Sequence, residues 1–191
     1  MIKALHSTAK IKGLKIPKVG MLFILLLCIT CQALGQRKLP LEYQVKAAFL
    51  FNFTKFITWP TTAFKSVDAP FVIGIIGDDP FGPYLDELVK DEKVEAHPII
   101  VKRYTDVNDV TGCHLLFVNS APAIQKQIIS NTATLSTLTV SDAIGFAQHG
   151  GNISFFKQDN KVRLEINIAA AKSARLDISS KLLNIAKLHN N

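Results

Sequence analysis

Apolar residues recur at helical spacing over residues 41–57, where Leu41, Val45, Phe49, Phe53 and Phe56 predict one buried helix face. Trp59-Pro60 closes that segment, because the residue before proline avoids the α region. Residues 71–76 are apolar without interruption, the pattern of a strand covered on both sides. The turn Gly77-Asp78-Asp79-Pro80 follows, and an Asp cap with Pro80 at the first helical position predicts a helix to about Lys90. Further strands are predicted over 98–103, 115–119 and 135–140, with a helix over 121–130 opening at Pro122. The strict alternation of 162–167, set against 152–157 across the polar Gln158-Asp159-Asn160, predicts an antiparallel hairpin with one wet face. Residues 178–188 predict a closing amphipathic helix capped by Asp177 or Ser179. The sum is an α/β fold, a three-layer sandwich with a mixed, mostly parallel sheet and an antiparallel hairpin near the C-terminus.

Residues 1–35 change this picture. Lys3, Lys10, Lys12, Lys15 and Lys18 precede an apolar run from Met21 to Leu34, and Ala33-Leu34-Gly35 places small residues where a signal peptidase cuts. That run is 14 residues long, short of the roughly 20 a membrane span needs. The expectation is a signal peptide over 1–35 cleaved after Gly35, and a single exported, periplasmic domain over 36–191. The chain carries 22 Lys and Arg against 15 Asp and Glu, and five of the lysines lie in the leader, which holds no acid. The body therefore has 17 basic and 15 acidic residues, near neutrality. With no basic cluster interleaved with aromatics, nucleic acid is not an expected partner. Cys28 and Cys31 leave with the leader, so Cys113 has no partner for an internal disulfide and reads as a small buried hydrophobe.

Candidate chemistry is sparse. Asp78 and Asp79 follow the first strand, and Ser141 and Asp142 follow the fourth, at the carboxyl ends where open α/β sheets place ligands. These four are the candidate ligand crevice, although turn and cap chemistry explains each of them. No glycine fingerprint, nucleophile elbow or metal-binding His spacing is present, so no catalytic residue, metal or cofactor is expected. The first helix carries Phe51 away from its main apolar face and is followed by Trp59, which makes both candidates for a protein interface. Arg163 and Glu165, on one face of the alternating strand with Asn167, are the other candidate partner contacts.

Several segments carry a family resemblance. They are Val45-Lys46-Ala47-Ala48-Phe49-Leu50-Phe51-Asn52-Phe53 with Trp59-Pro60, Gly77-Asp78-Asp79-Pro80-Phe81-Gly82, Cys113-His114-Leu115-Leu116-Phe117-Val118 and Leu138-Thr139-Val140-Ser141-Asp142. Gly150-Gly151-Asn152-Ile153, Val162-Arg163-Leu164-Glu165-Ile166-Asn167 and Ser179-Ser180-Lys181-Leu182-Leu183 complete the ordered set. Together they resemble the YfiR family of periplasmic regulatory proteins. The resemblance implies a non-enzymatic homodimer that binds an inner-membrane signalling protein, above all a diguanylate cyclase held inactive so that cyclic di-GMP stays low. A histidine kinase is the alternative membrane partner, and an outer-membrane lipoprotein is implied as a protein that lifts the repression. Redox-sensitive members carry two cysteine pairs, whereas this body keeps Cys113 alone. A periplasmic small-molecule binding protein, using the crevice near Asp78 and Asp142, is the competing expectation.

Overall fold

The computed structural model describes residues 39–190, and the leader, the Gly35 cleavage site, Cys28 and Cys31 lie outside them. Helix α1 (Leu41–Phe56) runs into the two-residue strand β1 (Ile57–Thr58). Strand β2 (Phe71–Gly77), helix α2 (Pro83–Val89), β3 (Lys93–Val94) and β4 (His97–Tyr104) follow. After a 3-10 turn at Val107–Asp109 come β5 (Leu115–Asn119), α3 (Pro122–Thr132) and β6 (Leu138–Ser141). The hairpin β7 (Ile153–Gln158) and β8 (Lys161–Asn167) leads into α4 (Ile168–Ser173). Strand β9 (Asp177–Ile178), the short helix α5 (Ser180–Leu183) and β10 (Lys187–His189) end the described chain.

Eight strands form one sheet in the order β10-β8-β7-β6-β5-β2-β4-β3. Its centre is parallel, from β4 through β2, β5 and β6 to β7, while β7–β8 and β3–β4 are antiparallel. The predicted α/β class, the mostly parallel sheet and the C-terminal hairpin are all observed. Helices cover both sides. On one, Phe53 and Leu50 of α1 and Leu85 of α2 pack with Phe71, Ile73, Ile75 and Phe117. On the other, Ile128 of α3 packs with Val72, Ile76, Leu116 and Val118. Successive strand residues point to opposite faces, so the unbroken apolar runs of β2 and β5 feed both cores at once.

Two predicted elements are corrected. The helix after β2 starts at Pro83 behind Gly82, not at Pro80. Asp79 folds back instead, its Oδ1 accepting the Phe81 and Gly82 amides at 2.8 and 3.1 Å, which makes a turn where a helix start was expected. The closing helix over 178–188 is broken into three pieces. Ile178 pairs with Ile57, and Lys187–His189 pair in parallel with residues 165–167 of β8. Backbone bonding to these distant strands overrides a local periodicity that favours helix. The predicted wet face of β8 is corrected for the same reason: Glu165 and Asn167 are buried beneath β10 and the 147–148 turn, and Arg163 stays exposed.

Candidate functional site: a charged cleft beside the hairpin

The first turns of α1 carry Glu42 and Lys46 one helical turn apart, a spacing that brings their side chains together. Lys46 shares a helix face with the buried Leu50 and Phe53, four and seven residues further on, so α1 carries the ammonium inward as it packs that face. Lys46 is 4 % exposed. A buried ammonium is costly unless charged partners replace its water. Here Nζ lies 2.7 Å from Glu42 Oε1 and 2.7 Å from Asp142 Oδ2, the latter delivered by the carboxyl end of β6. Tyr43 donates its hydroxyl to the same Asp142 oxygen at 3.4 Å and sets its ring 4.5 Å from Nζ. Lys157, on β7, closes on the second oxygen of Glu42.

The electrostatics follow from this arrangement. Hydrogen bonds from Lys157 and then Lys46 hold the Glu42 carboxyl below its ordinary range, against the opposing effect of burial. Burial alone would lower the Lys46 pKa, but the bonds to Asp142 and Glu42 outweigh it and hold the pKa above normal. Burial, and then the Asp142 charge, push the Tyr43 phenol up. All of these groups are locked in their usual charge states near neutral pH.

These residues form the inner wall of a cleft of about 520 Å³ between the start of α1 and the hairpin. Glu165 lines its far side, 3.1 Å from Lys187 Nζ and within 3.3 Å of the Gln148 amide. Lys157 and Lys187 are the exposed partners, with side chains 57 % and 62 % accessible. Ile144 stands at the mouth and is fully exposed.

The predicted site residues scatter. Of the crevice set Asp78, Asp79, Ser141 and Asp142, Asp142 lines the cleft. Ser141 is buried, donating to the Val118 carbonyl at 2.6 Å and accepting from the Ala143 amide at 3.1 Å. Asp79 also binds Arg103 Nε at 2.8 Å, and Arg103 reaches on to Asp86 at 2.6 Å. The Arg103 bond holds the Asp86 carboxyl below its usual range. Asp78 is exposed, its amide bonded to the Asn119 carbonyl at 3.0 Å. Among the partner-contact candidates, Glu165 faces the cleft and Arg163 is exposed beyond it. Phe51 is half-buried under Lys55, whose Nζ lies 4.1 Å from the ring. Trp59 is 6 % exposed, edge-on to Phe71 at 4.8 Å, and donates its indole N–H to the His114 carbonyl at 3.0 Å, so the structure assigns it to the core.

Sequence reasoning missed Glu42, Lys46, Lys157, Lys187 and Ile144. The Glu42–Lys46 pair, and a lysine flanked by apolar residues in a helix, were the available signals. Cys113 is buried and unpaired, and burial pushes its thiol up to about 12, away from the reactive thiolate. Among the described residues, no group of three or more His, Cys, Asp and Glu is placed to hold a metal ion, and no helix is long and apolar enough to cross a membrane.

Residues 43–187 match the model of a protein family described as YfiR/HmsC-like. No curated protein matches the chain. Among solved structures, the chain is similar to a conserved domain protein from Vibrio cholerae O1 biovar eltor str. N16961, at 15% identity and a TM-score of 0.42. The similarity covers 63% of this chain and 54% of that one, so the chain spans about half the length of that protein.

Proposed function

Because the chain belongs to the YfiR/HmsC-like family, a family of periplasmic regulators, we propose that it is an exported protein that docks on an inner-membrane signalling protein and represses it. A diguanylate cyclase is the proposed partner, with repression lowering cyclic di-GMP. The observation that carries this reading is the family match, which spans nearly all of the described body. The site chemistry agrees with it. The cleft's paired charges suit recognition of a protein surface, which supports this reading.

Regulation by contact requires that the chain bind one state of its receptor better than the other, by a coupling of about 1–3 kcal/mol. The proposed contact surface is the mouth of the cleft, with Ile144 as apolar anchor, Glu165 and Asp142 as charged partners and Arg163 beyond it, while Phe51, beside Lys55 further along α1, is a separate proposed contact. An isoleucine wholly in water adds nothing to the core, and apolar residues ringed by charge are the usual make-up of an interface centre and rim. Dimerisation and capture by an outer-membrane lipoprotein belong to the same proposal.

Cross-linking in intact cells, followed by mass spectrometry, tests the partner, and cyclic di-GMP measured in a deletion strain tests the output. The reading predicts a membrane-spanning signalling protein linked to the chain and raised cyclic di-GMP in the deletion. Unchanged cyclic di-GMP and unchanged kinase output in that strain would count against it.

A further inference from the structure

Helix α1 lies at the surface, yet its outward face is not polar. Its buried side carries Lys46, Ala47, Leu50, Phe53 and Thr54, and the opposite side repeats at helical spacing as Leu41, Val45, Ala48 and Asn52, with no charge before Lys55. The water-facing side of a surface helix ordinarily carries its charged residues, and a helix apolar on more than one side is one that something covers. The C-terminal segment runs beside α1 in the opposite direction. Leu182 and Ile185 share a narrow groove of about 130 Å³ with Phe49, Asn52 and Phe56, and Lys187 then shares the charged cleft with Glu42 and Tyr43 at the start of α1. Leu188 pairs with Ile166, which lies in the core under α1, so Leu188 is on the α1 side of the sheet. Leu41 and Ile185 are 74 % and 60 % exposed, and Val45 and Leu188 are exposed as well. Four of the eight exposed large apolar side chains among the described residues therefore lie on these two neighbouring segments, whereas ordinary surface apolar residues are scattered singly.

The charges around this strip select what covers it. Over residues 41–56 and 180–190 the one carboxylate is Glu42, which Lys46 and Lys157 already bridge. Lys55, over the Phe51 ring, and Lys181, at the groove, pair with no carboxylate among the described residues. A second copy seated on the same face would set one lysine-bearing surface against another with no free carboxylate between them. The exposed apolar side chains are aliphatic, while the rings of α1 are buried or half-buried. The face thus lacks the exposed Trp, Tyr and Arg that anchor specific protein contacts. Aliphatic residues flanked by lysines along a helix are instead the make-up of a surface that lies in the interface of an anionic bilayer. We propose that this face seats the protein on an anionic membrane surface, with Leu41, Val45, Ile185 and Leu188 entering the headgroup layer and Lys55 and Lys181 meeting lipid phosphates.

The test is co-sedimentation of residues 36–191, which contain the whole described fold, with vesicles of equal parts phosphatidylglycerol and phosphatidylethanolamine and with vesicles of phosphatidylcholine. The basic and apolar stretch before residue 36 is left out because it would bind lipid by itself. Two free lysines at the surface give binding to the anionic vesicles about thirtyfold tighter than to the neutral ones at low salt, a difference that shrinks as salt is raised. Lys55→Gln combined with Lys181→Gln removes that difference. Leu41→Ser combined with Ile185→Ser weakens binding to the anionic vesicles about tenfold. All four positions are exposed, so the melting temperature of both double variants stays that of the unaltered chain. No sedimentation with the anionic vesicles, equal sedimentation with both kinds, or unchanged binding in both double variants would each overturn the proposal. So would a dimer, seen without vesicle binding, that Leu41→Ser with Ile185→Ser dissolves, since the face would then belong to a second copy. Vesicle binding needs no receptor, so its failure is distinct from a failure of the repression proposed above.

Discussion

Lys46 and His114 are both buried ionisable side chains, and their surroundings treat them in opposite ways. At the start of α1, Lys46 stays charged because Glu42 and Asp142 stand within 2.7 Å of it. At the amino end of β5, His114 lies in an aromatic nest: stacked on Phe64 at 4.5 Å and on Phe71 at 4.9 Å, with His97 on the far side of Phe64 at 3.7 Å. Its Nδ1 accepts the Val72 amide at 3.0 Å, and its Nε2 is buried without a partner. Burial lowers its pKa to about 4, so it is neutral in the fold. The contrast separates function from scaffold. A charge kept inside at the cost of desolvation, beside an open cleft, belongs to the proposed docking surface, whereas a histidine kept neutral among rings is packing.

The comparison can be broken at its strong end first. Lys46→Met removes the buried cation and leaves Glu42 and Asp142 facing each other, each with partial solvent access. A stability loss of about 3 kcal/mol is expected in urea melts, at the low end of the range for breaking a buried pair. A loss under about 0.5 kcal/mol would show that the ammonium finds water as easily as carboxylate.

Next in size is the pH response of the nest. The folded pKa of His114 lies below the ordinary 6.5, so the unfolded chain binds the proton first. The stability contribution is complete above pH 6.5 and is lost as pH falls towards 4. Glu42 and Asp86, whose folded pKa values are also lowered, add losses of their own once pH drops below about 4.5. Between pH 6.5 and 4.5 the decline of about 2 kcal/mol therefore belongs mainly to the histidine. His114→Asn should flatten the profile in that window, measured by denaturant melts at a series of pH values. An equally steep profile in the variant would remove His114 from the explanation.

Smallest is the Lys187–Glu165 pair. Lys187→Ala removes a lysine that is largely in water, but it leaves the buried Glu165 carboxylate with the Gln148 amide alone, a cost of about 1 kcal/mol. A small drop in melting temperature is expected, together with a change in receptor binding. An unchanged melting temperature would show that Glu165 finds water once Lys187 is gone.

The same contrast explains what could be read from the chain. Continuous apolar runs identified β2 and β5, the alternation of residues 162–167 identified the hairpin, and the phenylalanines of residues 49–56 marked α1, because each pattern is local. The C-terminal pieces misled because their partners are remote: Ile178 meets Ile57, and Lys187 meets Glu165. Site residues divide likewise. Glu42 and Lys46 are legible as a helical pair, but Asp142 joins them across 96 residues of sequence. Trp59 read as an interface aromatic because sequence shows a large ring and hides the His114 carbonyl that holds its indole. Ile144 left no periodic trace, since a single exposed residue in a turn belongs to no repeating pattern.

The central claim, that the mouth of the charged cleft is the surface by which this chain represses a membrane signalling protein, is tested most directly by Ile144→Asp. Its side chain is fully exposed, so folding and abundance should be unaffected. Cyclic di-GMP measured in cells carrying this variant is predicted to rise to the level of the deletion strain, with normal amounts of folded protein. Cyclic di-GMP equal to that of the unaltered strain would contradict the account.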